Sequence, residues 1–364
     1  MTVASPALLS PEELAPAVEL TRRALAQMDE VLLGRSELHR MVLAGILSRG
    51  HILLEGLPGV GKTAMIKALG QILKLEFRRV QFTPDLMPSD ILGTHILRDT
   101  PGGGREMTFQ SGPVFTNILL ADEINRASPK TQSALLEAMQ ESSVTLLGQT
   151  RTLPDPFFVL ASQNPIELEG TYPLPEAQLD RFLFKLAVSD VGVDVLDRII
   201  STRRRGEPPV PAAPLVLEEL QKLFAAMERI YLPQAVSRYI SRLVAASHPG
   251  NAEATAEVSK YVTYGASPRA AIAIAEAARA CALIAGRPSV GFEDIRKVAP
   301  AALNHRLILN YKARFDQVGE LAVVKGLLDS LDEAGLDLPT DVQLGAPPGT
   351  HEVGRRGAEK EGQV

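Results

Sequence analysis

Two patterns of hydrophobic and polar positions divide the chain at about residue 205. In the first part, short apolar runs alternate with longer stretches in which apolar residues recur at helical spacing. Runs that are apolar on both faces are typical of parallel strands covered by helices, and their alternation with helices favours right-handed crossovers. The predicted strands are residues 51–55, 77–82, 117–121, 157–162 and 182–188, and the predicted helices are residues 11–30, 38–47, 62–73 and 128–141.

The second part begins with a segment rich in proline and arginine, residues 203–214, and has no convincing strand pattern. Helical periodicity returns downstream, and one helix has Ser267 as a cap, Pro268 in its first turn and Gly286 just past its end, as helix termini prefer. We therefore expect an all-helical second domain. Its predicted helices are residues 217–231, 233–247, 267–285 and 292–299.

Length and composition agree with an ordinary two-domain globular protein. The chain has 364 residues, more than the roughly 250–300 at which a single core stops growing. Its hydrophobic fraction of 45% and charged fraction of 22% are typical of soluble proteins. The predicted division is an N-terminal helical segment (1–30), an α/β nucleotide-binding domain (31–205), a helical domain (206–340) and a disordered tail (341–364).

Charge and cysteine content exclude several classes of protein. A net charge of −5 argues against a dominant sequence-independent hold on nucleic acid, although a local basic channel stays open. Cys281 is the single cysteine, so the chain has neither an intramolecular disulfide nor a zinc cluster built on thiolates. No apolar run approaches the roughly 20 residues of a membrane span, and the N-terminus lacks the pattern of a secretory signal. We therefore expect a cytoplasmic protein.

The strongest chemical signal is a G-x-x-x-x-G-K-[ST] pattern between a predicted strand and a predicted helix. That context separates a phosphate-binding loop from a chance glycine-rich turn. Backbone N–H groups of such a loop wrap phosphates, while Lys62 reaches the β- and γ-phosphates and the Thr63 hydroxyl binds Mg²⁺. The predicted nucleotide-binding residues of this loop are Gly56, Pro58, Gly59, Val60, Gly61, Lys62, Thr63 and Ala64.

Polar residues also end the next two predicted buried strands. Asp122 and Glu123 follow an apolar run; downstream of a phosphate-binding loop, Asp122 is expected to hold Mg²⁺ through water and Glu123 to polarise an attacking water. On its own, such a pair is more often a solvated strand end. Asn164 is placed to orient that water or to contact the γ-phosphate, although Asn164-Pro165 also reads as a turn initiator. The chemistry predicted from these residues is ATP hydrolysis.

The order of these motifs, with Leu179-Asp180-Arg181-Phe182 downstream, resembles the AAA+ ATPases. Longer stretches are similar to the MoxR family within that superfamily, over about residues 30–340. The resemblance implies a P-loop core with a five-stranded parallel sheet and a small all-α lid, with ATP and Mg²⁺ as cofactors. The stretches that carry it are residues 81–93, 112–115, 122–127 and 169–178.

The resemblance also implies roles for residues outside the loop. Asn164 matches the sensor-1 residue, and Arg181 matches the arginine finger that reaches the γ-phosphate bound by a neighbouring subunit. Arg269 matches sensor 2, which touches the nucleotide from the lid. Arg126 is a competing candidate for the contact between subunits, and an Arg after an Asp is by itself more often a surface ion pair. The adenine pocket is implied to be lined by Val31, Leu32 and Gly34.

Two insertions are implied as well: one at residues 90–113, within the second helix of the core, and a hairpin at residues 143–156. The family resemblance implies a ring, expected to be a hexamer, in which hydrolysis rotates the lid and remodels, assembles or activates a client protein. A partner with a von Willebrand A domain is implied. The alternatives are a nucleotide-locked scaffold and a nucleic-acid motor. A motor requires a basic pore, but residues 85–113 carry more acidic than basic side chains.

Overall fold

The computed structural model describes residues 8–57, 59–99, 104–165, 170–203 and 208–333. Several predictions therefore lie outside the described residues. These are the phosphate-loop role of Pro58, the disordered tail 341–364, and the part of the matched stretch 169–178 that falls on Glu169.

A five-stranded, all-parallel sheet forms the centre of the protein, with strand order β2-β5-β8-β1-β9. Each predicted strand is found within two residues of its expected ends, so the α/β prediction is confirmed. The strands of this sheet are β1 (Ile52–Glu55), β2 (Phe77–Gln81), β5 (Ile118–Asp122), β8 (Phe158–Gln163) and β9 (Phe184–Ala187).

Two antiparallel hairpins project from the core, and a small ladder lies in the helical region. The hairpins occupy the two predicted insertions, 90–113 and 143–156, and Arg151 of one stacks over the Phe109 ring of the other at 4.0 Å. The hairpins are β3 (Gly93–Asp99) with β4 (Arg105–Ser111) and β6 (Ser143–Leu146) with β7 (Gln149–Thr152), and the ladder is β10 (Val262–Tyr264) with β11 (Ile308–Leu309). The expectation of a strand-free helical region is therefore wrong, because strands this short leave no alternating pattern to detect.

Helices cover both faces of the sheet and form the second region of the chain. α12 extends four residues beyond its predicted end, through Pro300, because Ala302 and Leu303 are fully buried and hold the last turn in the core. The helices are α1 (Pro11–Val31), α2 (Ser36–Leu47), α3 (Lys62–Ile72), α4 (Pro88–Leu92), α5 (Pro129–Glu141), α6 (Glu176–Leu179), α7 (Val193–Thr202), α8 (Leu217–Arg229), α9 (Gln234–Ala246), α10 (Ala256–Tyr261), α11 (Pro268–Ile284), α12 (Phe292–Leu303), α13 (Tyr311–Phe315) and α14 (Glu320–Ser330).

The hydrophobic core is continuous between the sheet and the helical lid. Met28 of α1, Leu54 of β1 and Ile274 of α11 belong to one buried cluster, and α11 packs directly on α1 and α2. A second cluster lies on the other face of the sheet, beneath α5. The lid therefore shares its core with the α1–α2 layer. None of the helices in the described ranges has the length and apolar character needed to cross a lipid bilayer.

Candidate functional site

The phosphate-binding loop lies where β1 ends and α3 begins. Gly59 and Gly61 have φ angles of 83° and 86°, a left-handed conformation that side chains disfavour and glycine adopts freely. Gly61 is the N-cap of α3, so the helix starts at Lys62. The first N–H groups of a helix have no partner within it, and together with the helix dipole they form a cradle for an anion.

The Lys62 side chain is folded over this loop. It is 8% exposed, and its Nζ donates to the Gly56 carbonyl at 2.5 Å and to the Gln163 carbonyl at 3.4 Å. Burial lowers the pKa of Lys62, and the nearby carboxylates of Asp122, Glu123 and Glu55 oppose that shift. The ammonium therefore lies within reach of a phosphate held by the loop, with carbonyl partners that a phosphate could replace.

Asp122 and Thr63 form an oxygen-rich pair beside the loop. Asp122 is 7% exposed, and its Oδ2 accepts from the Thr63 hydroxyl at 3.3 Å. Its Oδ1 accepts from the Ser162 hydroxyl at 2.5 Å. Mg²⁺ prefers carboxylate, hydroxyl and water oxygens, so this donor set fits the predicted magnesium.

Glu123 is held in an uncommon backbone conformation next to Asp122. Its φ and ψ angles are 56° and 51°, in a region that costs non-glycine residues about 1–3 kcal/mol and is often found at functional sites. Its N–H donates to the Ser162 hydroxyl at 2.9 Å. Its Oε2 accepts from Gln81 Nε2 at 2.8 Å and from Arg126 Nη1 at 3.1 Å. The carboxylate that is predicted to polarise water is thus held by two side chains of its own chain.

Asn164 follows β8, the strand next to β5, and is 4% exposed. Its carbonyl accepts from Asn125 Nδ2 at 3.4 Å, which links it to the short 3₁₀ helix after Glu123. The carboxyl ends of β1, β5 and β8 therefore bring the loop, the two acids and Asn164 to one edge of the sheet, as the sequence predicted.

Of the three residues predicted to line the adenine pocket, Gly34 borders a cavity and the other two do not. Gly34 borders a cavity of about 630 Å³ at the end of β9, which is within the usual size range of ligand pockets. Val31 is 1% exposed and Leu32 packs against the hydrophobic core, so these two side chains do not line the cavity. The reason is that Val31 ends α1 with its side chain turned inward. Besides Gly34, the lining includes Arg35, Leu38, Met41, Leu186 and Ser189.

Arg35 joins this cavity to the phosphate-binding loop. Its Nη1 donates to the Val60 carbonyl at 2.6 Å and its Nη2 to the Ser189 carbonyl at 2.9 Å. Burial lowers the pKa of Arg35, while Asp190 opposes that shift. Arg35 was not among the predicted site residues, because its partners lie 25 and 154 positions away along the chain.

Arg181 and Arg269 lie at the opposite edge of the sheet from the loop. Both border a cavity of about 290 Å³ together with Gly50 and His51, which precede β1, and Leu183, which precedes β9. The loop follows the other end of β1, and this four-residue strand spans about 13 Å.

The packing of the lid determines the position of Arg269. Because the lid packs on α1 and α2, the first turn of α11 meets the segment before β9, with Arg269 Nη1 3.9 Å from Asp180 Oδ2. In this arrangement Arg269 lies away from the P-loop of its own chain, and its contact with a nucleotide from the lid stays a prediction. Arg181 is half-buried, and its Nη1 donates to the Leu136 carbonyl at 2.6 Å.

Comparisons with known proteins agree with this geometry. The family model described as "ATPase family associated with various cellular activities (AAA)" matches residues 51–184, and that of an AAA lid domain matches residues 254–325. The chain is 42% identical over 332 residues to Chaperone MoxR1 of Mycobacterium tuberculosis, covering 90% of this chain and 87% of the relative. Protein MoxR of Paracoccus denitrificans is 32% identical, with coverages of 85% and 94%. The chain belongs to the MoxR family of AAA+ ATPases.

The MoxR assignment extends to the three-dimensional fold. A solved structure from Cytophaga hutchinsonii, described as that of an ATPase, superposes with a TM-score of 0.79 at 37% identity, covering 88% of this chain and 97% of the other. Within this MoxR protein, sequence reasoning assigned no role to Arg79, Gln81 and Ser162, although they contact the two acids. Polar residues on the two strands that flank β5 were the available signal.

Proposed function

We propose that this protein hydrolyses Mg²⁺-bound ATP in a homo-oligomeric ring, expected to be a hexamer, and uses the energy for chaperone-like remodelling of another protein. The observation that carries the proposal is the position of the P-loop and the two arginines on opposite edges of one sheet. Each subunit then offers a nucleotide site on one edge and arginines on the other. A nucleotide site would then be completed when the P-loop edge of one subunit meets the arginine edge of its neighbour.

Within one subunit, the roles follow from the contacts at the nucleotide edge. Lys62 and the N-terminus of α3 would hold the β- and γ-phosphates, and the base would enter the cavity beside Gly34 and Arg35. Mg²⁺ held near Thr63 and Asp122 would neutralise charge on the phosphates.

Hydrolysis itself depends on three further groups in the proposal. Glu123 would orient and polarise the attacking water, and Asn164 would help to position it or contact the γ-phosphate. Ser162 would hold Asp122 and Glu123 in fixed positions relative to each other, since its hydroxyl hydrogen-bonds to both residues.

Between subunits, Arg181 is the better candidate for the arginine finger. Arg126 already donates to Glu123 of its own chain at 3.1 Å, on the nucleotide edge, whereas Arg181 and Arg269 face away from their own P-loop. Both would stabilise charge that develops on the neighbour's phosphates. Because the lid shares its core with α1 and α2, we place the nucleotide-driven motion mainly at the boundary between subunits.

A protein client fits the surface better than nucleic acid does. The two hairpins expose Leu97, Met107 and Leu147, at 55%, 57% and 79%, which suits apolar contact with a polypeptide. Arg105 is paired with Asp99 at 3.2 Å, so this hairpin offers little free positive charge for a phosphate backbone. The name of the mycobacterial relative, Chaperone MoxR1, supports a remodelling role. We expect the partner to be a von Willebrand A-domain protein or another client protein, and we expect this protein to act in the cytoplasm.

The test is ATP hydrolysis as a function of protein concentration, for wild type, E123Q, R181A and R126A. Specific activity is expected to rise as the ring forms. E123Q should bind ATP and lose turnover, and R181A should lose roughly 1,000-fold or more, as removal of an arginine finger does. R126A removes one of the two side chains that hold Glu123, so it should lower turnover by less than R181A does.

Mixing E123Q with R181A gives a second, stricter measurement. An interface that joins the intact Glu123 of R181A to the intact Arg181 of E123Q is complete, so part of the activity should return. Turnover that is independent of concentration, with R181A as active as wild type, would contradict the ring proposal.

A further inference from the structure

Arg79 on β2 makes contacts that the roles above do not use. Its Nε and Nη2 donate to Asp122 Oδ2 at 3.1 and 2.7 Å. The same Nη2 donates to Gln81 Oε1 at 2.7 Å. The Arg79 side chain is 48% exposed while that of Asp122 is 10% exposed, so a half-exposed cation contacts a nearly buried carboxylate.

Both oxygens of Asp122 are occupied by donors of its own chain. Oδ1 accepts from the Ser162 hydroxyl, and Oδ2 accepts from Arg79 and from the Thr63 hydroxyl. Thr63 and Asp122 are the residues whose chemistry fits magnesium. Arg79 therefore brings a positive charge to the carboxylate that the metal would otherwise neutralise.

The geometry of β2 holds Arg79 in this position. Side chains of a strand alternate between its two faces, so Arg79 and Gln81 share one face while Arg78 lies on the other. Arg78 pairs with Glu76 at 2.9 Å, away from the site. Gln81 anchors Arg79 from one side and Glu123 from the other, through its Oε1 and Nε2. Arg79 is thus the only one of the two neighbouring strand arginines that faces the acids.

We infer that Arg79 is a positioning residue that substitutes for the charge of magnesium on Asp122 and gives up Oδ2 when a metal–nucleotide complex binds. The inference rests on the proposed function, because it assumes that the nucleotide edge binds Mg²⁺ together with a nucleotide. In the metal-free protein, Arg79 prevents the Asp122 carboxylate from repelling phosphates. When the metal is present, that cation is redundant and competes for the same carboxylate.

The consequence concerns how strongly nucleotide binding depends on the metal. Without Arg79, metal-free ADP meets an uncompensated carboxylate and should bind more weakly. Mg²⁺-bound ADP should bind as well as before or more tightly, because the competing cation is gone. The ratio of the ADP dissociation constant in EDTA to that in Mg²⁺ should therefore rise, by about fivefold for an ion pair of intermediate exposure.

The experiment measures ADP binding by calorimetry to the full chain, in EDTA and in Mg²⁺, for wild type, R79Q, R79K and R78Q. The ratio is expected to rise in R79Q, to stay within about twofold of wild type in R79K, which keeps the charge, and to be unchanged in R78Q. The Mg²⁺ concentration for half-maximal ATP hydrolysis should fall in R79Q by a similar factor.

The outcomes separate the inference from the proposed function. If wild type fails to bind ADP in Mg²⁺, the proposed function fails. If wild type binds and R79Q has the same ratio as wild type, Arg79 has no role towards the metal. A purely structural role would lower the unfolding temperature of R79Q and weaken both dissociation constants equally, which also leaves the ratio unchanged and overturns the inference.

Discussion

Arg306, just beyond the end of α12, forms a buried ion pair with Asp180, the residue before Arg181. Arg306 Nε lies 2.7 Å from Asp180 Oδ1, and the Arg306 side chain is only 3% exposed. Its Nη2 also donates to the carbonyls of Asp180 and Phe182 at 3.0 and 2.7 Å. Burial lowers the pKa of Arg306, and the Asp180 carboxylate opposes that shift. The lid thus holds the backbone on both sides of Arg181.

The first prediction concerns this ion pair. Arg306→Met removes the buried cation beside the Asp180 carboxylate and the hydrogen bonds that the guanidinium donates to four main-chain carbonyls, and we expect a loss of about 3–5 kcal/mol in the free energy of unfolding. Urea denaturation followed by circular dichroism measures it. The matched control is Arg314→Met at an exposed position of α13, which should change stability by less than about 0.5 kcal/mol. Equal effects of the two substitutions would contradict the role of the pair.

The second prediction follows from the edge on which Arg269 lies. R269A should lower hydrolysis, and addition of the inactive E123Q protein should restore part of it, because E123Q contributes an intact Arg269 to the neighbour's site. The measurement is turnover of the mixture against that of each variant alone. If Arg269 instead served the nucleotide of its own chain, E123Q would give no recovery.

The third prediction concerns Ser162, whose hydroxyl contacts both Asp122 and the backbone of Glu123. Ser162→Ala should reduce kcat by about 10- to 100-fold, as loss of a supporting hydrogen bond at a metal site does. ADP affinity should change little, because Ser162 does not belong to the P-loop. Ser241→Ala, at an exposed position of α9, serves as the control. A loss of ADP affinity that matches the loss of kcat would argue against this role.

The fourth prediction is a pH dependence of stability that originates at His51. Burial lowers the pKa of His51 to about 4, although its bond to the Met139 carbonyl opposes the shift. Nδ1 accepts from the Val159 N–H at 3.0 Å, so Nε2 carries the proton and donates to Met139 at 3.1 Å. Protonation of Nδ1 would place two donors, Nδ1–H and the Val159 N–H, in contact and would break this hydrogen bond.

The folded-state pKa of His51 lies below the unfolded value of 6.5. Its contribution to stability is therefore complete above pH 6.5 and is lost as the pH falls towards 4, with a slope of up to about 1.4 kcal/mol per pH unit. Chemical denaturation between pH 7 and pH 4.5 measures the slope. His51→Gln should reduce the slope and leave the part that comes from His305, whose pKa burial also lowers, while His248→Gln at an exposed position should leave the slope unchanged. Identical slopes in wild type and His51→Gln would contradict the assignment.

Most of the fold and half of the candidate site were accessible from the sequence because their signals are local. The P-loop is one contiguous motif whose glycines, lysine and threonine act through their own backbone and the helix that follows. Asp122, Glu123 and Asn164 could be placed together because parallel strands end at a common edge. Hydrophobic periodicity located the five sheet strands and most of the longer helices, but not α7 and α14.

The tertiary structure decided what depends on contacts between distant positions. Whether Arg269 faces its own nucleotide or a neighbour's depends on how the lid packs on α1 and α2, which no local pattern records. Val31 is buried and Leu32 packs against the core at the end of α1, so the packing of α1 decides that neither side chain borders the cavity beside Gly34. Arg79 contacts Asp122, 43 positions away along the chain, and Arg306 contacts Asp180, 126 positions away. Such pairs depend on packing geometry, whereas the residue pattern along the chain specifies only which segments are able to pack.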